Sequence, residues 1–320
     1  MSNQEPPFCV QVELVEGCSL HCSVCGIKGI RAKAGGPYKF MTMKTAEAIA
    51  SSMAKLKWHA RGEFAVHGEP SLNPQMCQIV AIFRKHLPRN QLMMTSNGTG
   101  FVAKPVDSVH AVMRAGLNIL ALDDYRGATM VPRIVKALAG PGKFEYALAA
   151  YPEDGLEFSP HRRGPVTEHR VVTIADLVET STGSHSRVNN HCGCGSPKND
   201  HGVGKRCAKP FRELSIRWDG RVSVCCNDWR GLLDCGSVVT NGLDAVWNGA
   251  VFDSARKYLL LGRREFDPCK GCDALSYRVG LLPDHRGHLS LPAPTARDAR
   301  LLQAAATVMT KPVKLPWEER

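Results

Sequence analysis

The sequence lacks any run of eighteen consecutive apolar residues, so a transmembrane helix is not expected. Residues 1–7 also lack the apolar core that a secretory signal peptide needs. Disulfides persist mainly in oxidising compartments, so the thirteen cysteines of a chain without an export signal are not expected to pair. These absences predict a cytoplasmic protein whose cysteines serve metal binding or catalysis.

Three of the cysteines, Cys18, Cys22 and Cys25, lie in the sequence Cys-Ser-Leu-His-Cys-Ser-Val-Cys. The spacing C-x3-C-x2-C suits three corners of a four-iron four-sulfur cluster and leaves the fourth iron open. An open iron can bind the amino and carboxylate groups of S-adenosylmethionine. A structural zinc site is the alternative, but zinc normally takes four protein ligands, and only His21 could complete this loop.

At these residues the chain resembles the radical SAM superfamily. The resemblance implies an enzyme in which a [4Fe-4S] cluster held by Cys18, Cys22 and Cys25 cleaves S-adenosylmethionine. The 5′-deoxyadenosyl radical formed in that way abstracts hydrogen from an unactivated carbon. The resemblance also implies an external electron donor of the flavodoxin or ferredoxin type. No acid or base is needed for this step, and we therefore assign no catalytic side chain.

Two later segments support the resemblance, because both run from an apolar strand into a polar turn. Gly68, Glu69 and Pro70 match the Gly-Glu-Pro motif of the family, in which Glu69 would accept a hydrogen bond from the amino group of S-adenosylmethionine. Ser96 and Asn97 follow the next apolar segment, where the family often places contacts to the ribose or methionine portion. Either motif also occurs in ordinary turns. Their order after the cysteine loop is what supports the family.

A second set of cysteines begins after residue 206. The candidate ligands are Cys207, Cys225, Cys269 and Cys272. With Gly220 they follow the patterns C-x12-G-x4-C and C-x2-C, which resemble the auxiliary-cluster domains called SPASM and twitch. Full SPASM domains contain several further cysteines, and no cysteine follows Cys272. The resemblance therefore implies the shorter twitch form, with one additional [4Fe-4S] cluster.

Alternating apolar residues on both sides of Gly220 predict a hairpin, which would bring Cys207 and Cys225 together. A helix over 243–261 would then return the chain to Cys269. Two alternatives remain open at this point. Cys226 could replace Cys225 as the ligand, and the four thiols could bind zinc instead of a cluster.

The remaining cysteines are given simpler roles. Cys192 and Cys194 are too close in the sequence to share one cluster easily, and we interpret them as free thiols or as a redox-sensitive pair. Cys9, Cys77 and Cys235 are interpreted as small buried apolar residues.

Strand and helix signals alternate through the first half of the chain, and neither internal repeats nor heptads are present. The predicted strands are 8–17, 63–67, 91–95, 117–123, 145–151 and 169–174, and the predicted helices are 42–57, 74–87, 105–115 and 129–139. Six strand-helix units predict an α/β fold with a partial (β/α)6 TIM-like barrel, as the resemblance also implies. Its chemistry would lie at the carboxyl ends of the strands.

The chain is therefore divided into four parts. The predicted parts are a radical SAM partial barrel over 1–178, a linker and mobile loop over 179–206, a small auxiliary-cluster domain of the twitch or SPASM type over 207–282, and a C-terminal tail over 283–320. A short helix is expected in the tail, near 295–309.

Charge is the main indication of the substrate. The chain has 41 basic and 30 acidic residues, and the net charge of +11 favours an anionic partner. We expect three basic groups around the mouth of the barrel: Lys28, Arg31, Lys33, Lys39 and Lys44; His161, Arg162 and Arg163; and Lys198, Lys205, Arg206, Lys209 and Arg212. They would bind phosphate, the alternative being an ordinary solvated surface. Asp123 and Asp124, at a strand end, could hold a substrate amine or hydroxyl or could cap the next helix.

The leading hypothesis for the substrate is an amino-acid-modified thymine in DNA. The architecture resembles that of phage radical SAM isomerases, which act in thymine hypermodification of DNA and would work in the host cytoplasm. A redox-neutral isomerisation leaves an auxiliary cluster without an obvious electron to accept. The resemblance does not identify the hydrogen that is abstracted.

Three alternatives are kept. A peptide maturase would need a leader-binding domain, for which the position of Cys18 leaves no room. A dehydrogenase or lyase of a small alcohol, sugar or aminoglycoside would suit one auxiliary cluster, but a polycationic substrate fits a basic rim poorly. An iron-sulfur binding protein without turnover is the non-enzyme alternative.

Overall fold

The structure is a computed structural model that describes residues 5–22, 25–30, 36–125, 130–140, 145–174, 190–195, 204–274 and 291–306. Its strands are β1 (Cys9–Val12), β2 (Val15–Glu16), β3 (Lys39–Phe40), β4 (Arg61–Phe64), β5 (Leu92–Ser96), β6 (Ile119–Asp123), β7 (Ala147–Tyr151), β8 (Arg170–Ile174), β9 (Glu213–Ile216) and β10 (Val222–Ser223). Its α-helices are α1 (Met43–Lys55), α2 (Met76–His86), α3 (Pro105–Arg114), α4 (Met130–Leu138), α5 (Lys209–Arg212), α6 (Leu243–Trp247), α7 (Ala250–Leu260) and α8 (Ala296–Ala305).

Eight of the strands form one sheet in the order β10-β9-β1-β4-β5-β6-β8-β7. Every pairing in this sheet is parallel except that of β9 with β10. Parallel sheets are covered on both faces, so their central strands are buried. All five residues of β6, Ile-Leu-Ala-Leu-Asp, are buried. The predicted α/β fold with an open parallel sheet is confirmed.

The helices α1 to α4 follow the strands in the order that the periodicity predicts. In α1, Ala46, Ile49 and Met53 are fully buried on one face, and the hydroxyl of Thr42 caps the first turn by accepting from the Thr45 amide. None of the described helices is both long and apolar enough to cross a membrane.

The last two barrel strands differ from the prediction in two respects. Strand β8 lies between β6 and β7, so the final two strands are reversed relative to their order in the chain. The connection over 152–169 contains a short 3₁₀ turn, Leu156–Phe158, instead of a helix. Three prolines and two glycines in this connection disfavour a helix. In the interior strand β8, Val171 and Val172 are fully buried, whereas the edge strand β7 is half-exposed.

The hairpin predicted around Gly220 is present, and it extends the barrel sheet instead of forming a separate one. Gly220 takes a positive φ of 85°, which an L side chain rarely adopts, and Val222 pairs with Ile216. On its other side β9 pairs in parallel with β1, so Val12 lies opposite Ile216. The predicted helix over 243–261 is divided into α6 and α7. A Cβ at Gly249 would lie 2.7 Å from the carbonyl oxygen of Ala245, so only glycine fits this break.

A buried carboxylate joins the two halves of this sheet. Glu13 follows β1 and has no exposed surface. Its Oε1 lies 3.1 Å from Nδ1 of His67, which follows β4, and its Oε2 accepts from the Trp218 amide at 3.0 Å, beyond the end of β9. Nε of Arg217 lies 3.9 Å from Oε2 of Glu13, and the same guanidinium also pairs with Glu16 at 2.8 Å. Glu13 therefore fixes three strand ends together.

We predict that Glu13→Ala destabilises the protein strongly. The substitution leaves a buried guanidinium without one of its carboxylates and a buried amide without its acceptor, and losses of this kind cost about 3–5 kcal/mol. The measurement is urea unfolding of the anaerobic protein. Glu145→Ala, at an exposed position before β7, is the control and should change the unfolding free energy by less than about 0.5 kcal/mol. Equal stability of both variants would contradict the proposed role of Glu13.

Candidate functional site

A cavity of about 250 Å³ lies at the carboxyl ends of β4, β5 and β6. It brings together most of the residues that the motifs single out: Cys18, Cys22, Cys25, Gly68, Glu69, Ser96, Asn97 and Asp123. Pro70 does not line it, and instead begins the 3₁₀ turn Pro70–Leu72 behind it. Asp124 does not line it either, and its amide donates to the carbonyl of Ile174.

The turn after β4 lies directly against the chain that leads into the cysteine loop. The amide of Glu69 donates to the Gly17 carbonyl at 2.9 Å. A Cβ at Gly68 would lie 2.0 Å from the Val15 carbonyl oxygen and 2.5 Å from that of Gly17. Since real Cβ atoms do not approach backbone so closely, position 68 requires glycine. The Gly-Glu-Pro motif thus has a steric role next to Cys18.

The sulfur of Cys18 accepts two hydrogen bonds. The Leu20 amide and Nδ2 of Asn97 each lie 3.3 Å from it. Hydrogen bonds to a cysteine sulfur stabilise the electron-rich thiolate that ligates iron. Asn97, the first residue after β5, therefore lines the cavity and also fixes the first cysteine of the loop.

Glu69 is buried and lies at the centre of a hydrogen-bond network. Its Oε1 accepts from the amide and hydroxyl of Ser71 and from the hydroxyl of Ser96 at 2.6 Å, and its Oε2 accepts from the Asn97 amide at 2.7 Å. An ionised carboxylate offers about four acceptor positions, two on each oxygen, so Oε2 keeps one for a further donor. Burial raises the pKa of Glu69 despite these hydrogen bonds, and a cationic donor would offset that cost.

Asp123 contributes a second buried carboxyl to the cavity. The Tyr125 hydroxyl donates to its Oδ2 at 2.9 Å, whereas Oδ1 is buried without a partner among the described atoms. Burial raises the pKa of Asp123 to about 7, the charge of Glu69 adds to this shift, and the hydrogen bond from Tyr125 opposes it. An unpartnered buried oxygen of this kind suits a hydroxyl or amine of a bound molecule.

The side of the cavity facing the auxiliary-cluster domain is formed by Trp229 and His191, which the motifs did not identify. The indole Nε1 of Trp229 donates to Nδ1 of His191 at 3.0 Å. The ring centroids of Trp229 and His67 lie 4.8 Å apart. A Cβ at Gly26 would lie 2.5 Å from the indole nitrogen, so the residue after Cys25 must be small. Burial lowers the pKa of His191 to about 4, so its imidazole is neutral at pH 7.

A second, smaller cavity contains the later set of cysteines. All four predicted ligands line it, namely Cys207, Cys225, Cys269 and Cys272. Cys226 lies outside it, where its sulfur contacts the ammonium of Lys209 at 3.4 Å and its carbonyl lies 3.0 Å from the His67 ring. The geometry therefore separates Cys225 from Cys226. Sequence reasoning missed a fifth lining thiol, Cys192.

The loop after Cys269 is held by Arg264. Its guanidinium donates to the carbonyls of Cys272 at 2.6 Å, Ala274 at 3.0 Å and Lys205 at 2.9 Å. Burial raises the pKa of the Cys269 thiol well above its usual value, so a bound cation is needed to hold it as a thiolate. Among the described residues, no three histidine, cysteine or acidic side chains converge on one point as ligands of a single ion would. The thiols instead line one small cavity with a volume of about 10 Å³.

The expected position at the mouth is wrong for Arg162, Arg163 and Arg212. Arg163 donates to the Phe8 carbonyl at 2.8 Å and covers its ring, and Arg212 also lies over that ring. Phe8 precedes β1, so these arginines lie at the amino ends of the strands, opposite the cavity. Arg162 pairs with Glu168.

Two other members of the predicted basic groups form ion pairs, and three lie outside the described residues. Lys39 pairs with Glu16, and Lys209 is a half-buried partner of Glu213. Arg31, Lys33 and Lys198 lie outside the described residues.

The predicted mobile loop over 179–206 also differs from the expectation where it is described, because Asn190 is buried and its amide donates to Asp273.

Comparisons with known proteins agree with this architecture. Residues 207–273 match the SPASM family, an iron-sulfur cluster-binding domain. BtrN in complex with AdoMet and 2-DOIA is 18% identical, with a TM-score of 0.65 over 85% of this chain and 95% of BtrN. Selenomethionine BtrN in an open conformation is 16% identical, with a TM-score of 0.58 over 90% and 99%. Streptococcus suis SuiB bound to its precursor peptide SuiA is 12% identical, with a TM-score of 0.43 over 83% and 70%. No curated protein matches the chain.

The fold and the second site together define the class of protein. It is an α/β protein with a parallel, partial barrel like that of BtrN, followed by residues 207–273, which match an iron-sulfur cluster-binding domain.

We predict that Asp123 makes stability depend on pH. Its pKa of about 7 in the folded protein lies above its ordinary value of 3.8, so folding takes up a proton between these values. The contribution of this carboxyl to stability is therefore greatest below about pH 4 and is lost as the pH rises through about 7. Asp123→Asn should flatten the decline in unfolding free energy between pH 5 and pH 7.5.

Asp107→Asn is the matched control for that prediction. Asp107 is exposed in the first turn of α3, and its variant should keep the wild-type dependence on pH. Identical slopes for the wild type and Asp123→Asn would show that Asp123 is ionised in the folded protein at low pH.

Proposed function

We propose that this protein is a radical SAM enzyme with one auxiliary [4Fe-4S] cluster. The observation that carries the proposal is the convergence of three separate motifs on one cavity. The cysteine loop, the Gly68-Glu69 turn and the Ser96-Asn97 turn are far apart in the sequence, and they meet at the carboxyl ends of adjacent parallel strands.

Cys18, Cys22 and Cys25 would hold the first cluster. The residues fit this role because all three line the same cavity, and the sulfur of Cys18 already accepts two N–H donors. When bound, the cluster and S-adenosylmethionine supply reductive cleavage of the sulfonium bond and the resulting 5′-deoxyadenosyl radical. The first electron would come from an external flavodoxin or ferredoxin.

The side chains around this cavity would bind and orient S-adenosylmethionine. The remaining acceptor position on Oε2 of Glu69 suits its ammonium group, and the neighbouring Gly68, Ser96 and Asn97 line the same space. Trp229 and Ile27 provide an apolar wall that excludes water from the site. Exclusion of water protects a reactive radical from side reactions.

Cys207, Cys225, Cys269 and Cys272 would hold the auxiliary cluster, in keeping with the SPASM match. A second cluster gives the protein a place for the electron that a substrate loses in a net oxidation. We therefore propose an oxidoreductase outcome in preference to a redox-neutral isomerisation.

The substrate that we favour is a small molecule with hydroxyl or amino groups. The buried, unpartnered Oδ1 of Asp123 supports this class, because it could accept a hydrogen bond from such a group. BtrN, with the same fold, was crystallised with AdoMet and 2-DOIA. The absence of Arg162 and Arg163 from the mouth also removes the objection that a cationic substrate would meet a basic rim.

A modified thymine in DNA is the weaker proposal. It now depends on the net charge and on a segment around Arg31 and Lys33 that lies outside the described residues. A target base would also have to leave the duplex to reach the cavity. Binding of DNA oligonucleotides that falls steeply with salt would favour DNA over a small hydroxyl compound.

We predict about eight irons per chain after anaerobic reconstitution, because seven cysteines form two separate ligand sets. Replacing Cys18, Cys22 and Cys25 together by Ala should leave about four. The measurement is iron and sulfide analysis with metal quantification. Zinc in place of iron at the second set, or full iron content in the triple variant, would contradict the two-cluster proposal.

We predict that Glu69→Ala weakens binding of S-adenosylmethionine by about 10-fold to 150-fold, since loss of a hydrogen bond to a charged group costs about 1.5–3 kcal/mol. Iron content should stay at the wild-type value. Binding is measured by equilibrium dialysis, and turnover by formation of 5′-deoxyadenosine with dithionite.

Glu157→Ala, at an exposed position of the 3₁₀ turn Leu156–Phe158, is the control for that variant and should bind normally. If the wild-type protein with its full iron content forms no 5′-deoxyadenosine, the proposed activity is wrong. If Glu69→Ala binds as tightly as the wild type, the position assigned to the amino group is wrong.

A further inference from the structure

The second cavity contains one thiol more than a four-iron cluster requires. Cys192 lines it beside the four cysteines of the SPASM pattern, although it lies in the sequence before the matched residues 207–273. A [4Fe-4S] cluster has four iron corners, and four thiolates saturate them. The position of the fifth thiol therefore needs an explanation.

The turn that carries Cys192 is fixed to the loop of Cys272. The Asn190 amide donates to Oδ1 of Asp273 at 2.6 Å, and the Asp273 amide donates back to Oδ1 of Asn190 at 3.4 Å. Nδ2 of Asn190 also donates to the Gly271 carbonyl at 2.9 Å. These three bonds hold the two segments together, so Cys192 is presented to the cavity by a structured turn.

The backbone of this turn is unusual. His191 and Cys192 have φ values of 47° and 54°, in the left-handed region that residues other than glycine rarely adopt. The two consecutive residues point to different cavities, because His191 lines the first and Cys192 lines the second. The strained turn is thus the local geometry that places the Cys192 thiol at the auxiliary site.

The thiol of Cys192 lies beside the thiols of Cys225 and Cys272, because all three line one cavity with a volume of only about 10 Å³. Both of these residues are proposed ligands, and they come from different segments of the chain. A thiol that lies beside two ligand sulfurs can reach the iron that either of them holds with a small side-chain movement. The neighbouring Cys194 is different, because it packs against Ile27 and Trp229.

We propose that Cys192 is a reserve iron ligand of the auxiliary cluster, able to take the corner that Cys225 or Cys272 holds. The inference depends on the proposed auxiliary cluster. In the exchange, the bond from iron to the sulfur of Cys272 breaks as the bond to the sulfur of Cys192 forms. The proton of Cys192 passes to the departing thiolate beside it, and no electron is transferred.

The test uses the full-length chain in which Cys18, Cys22 and Cys25 are all Ala, so that only the auxiliary cluster is counted. This parent should bind about four irons after anaerobic reconstitution. Further replacement of Cys225 or Cys272 by Ala should leave about four irons, because Cys192 substitutes. Adding Cys192→Ala to either variant leaves only three thiolates, so the iron content should fall and the electron paramagnetic resonance signal should change, whereas adding Cys194→Ala should change neither.

Replacement of Cys207 or Cys269 is the second control, because Cys192 does not substitute for them and the iron content should fall. The electron paramagnetic resonance signal of the reduced cluster should change when Cys192 takes over a corner, and circular dichroism checks that each variant is folded. Loss of the cluster in folded Cys225→Ala and Cys272→Ala variants would overturn the inference. Loss of the cluster from Cys192→Ala alone would overturn it too, since Cys192 would then be an obligatory ligand. A parent without iron would instead refute the proposed auxiliary cluster.

Discussion

The arrangement of the two candidate sites depends on the burial of Glu13. This carboxylate has no exposed surface, and a buried charge is stable only when it is paired and hydrogen-bonded. Its partners, His67 and the Trp218 amide, follow β4 and β9, which lie on opposite sides of β1. Satisfying one carboxylate therefore fixes the auxiliary-cluster domain against the barrel, and both cavities form next to this junction.

Two short segments lie between the cavities, and each of them contributes lining residues to both. In the segment from Cys225 to Trp229, the cysteine lines the second cavity and the indole lines the first. In the other segment, His191 lines the first cavity and Cys192 lines the second. The hydrogen bond between Trp229 and His191 joins the two segments. A displacement of either segment would change both cavities at once. Binding of a molecule at one cavity would therefore alter the shape of the other.

The expectations drawn from the sequence held best where the signal was local. The periodicity of α1, the hairpin at Gly220 and the apolar strands β5 and β6 were each predicted close to their observed bounds, because burial of one face or of a whole strand leaves a regular pattern. The order of β7 and β8 was not predicted. Both strands are apolar and of equal length, and only packing against β6 decides which of them is interior.

Both proposed cysteine sets were predicted from the sequence, the first from ligand spacing within one loop and the second from its resemblance to known cluster-binding domains. The sequence could not determine what surrounds them. Arg163 and Cys192 illustrate the reason: the arginine pairs with a carbonyl 155 residues away, and the cysteine meets Cys272 through a turn anchored to Asp273. Contacts between distant segments arise from the path of the whole chain, which no pattern in either segment records. The tertiary structure therefore decided that Arg163 lies away from the first cavity and that a fifth thiol lines the second one.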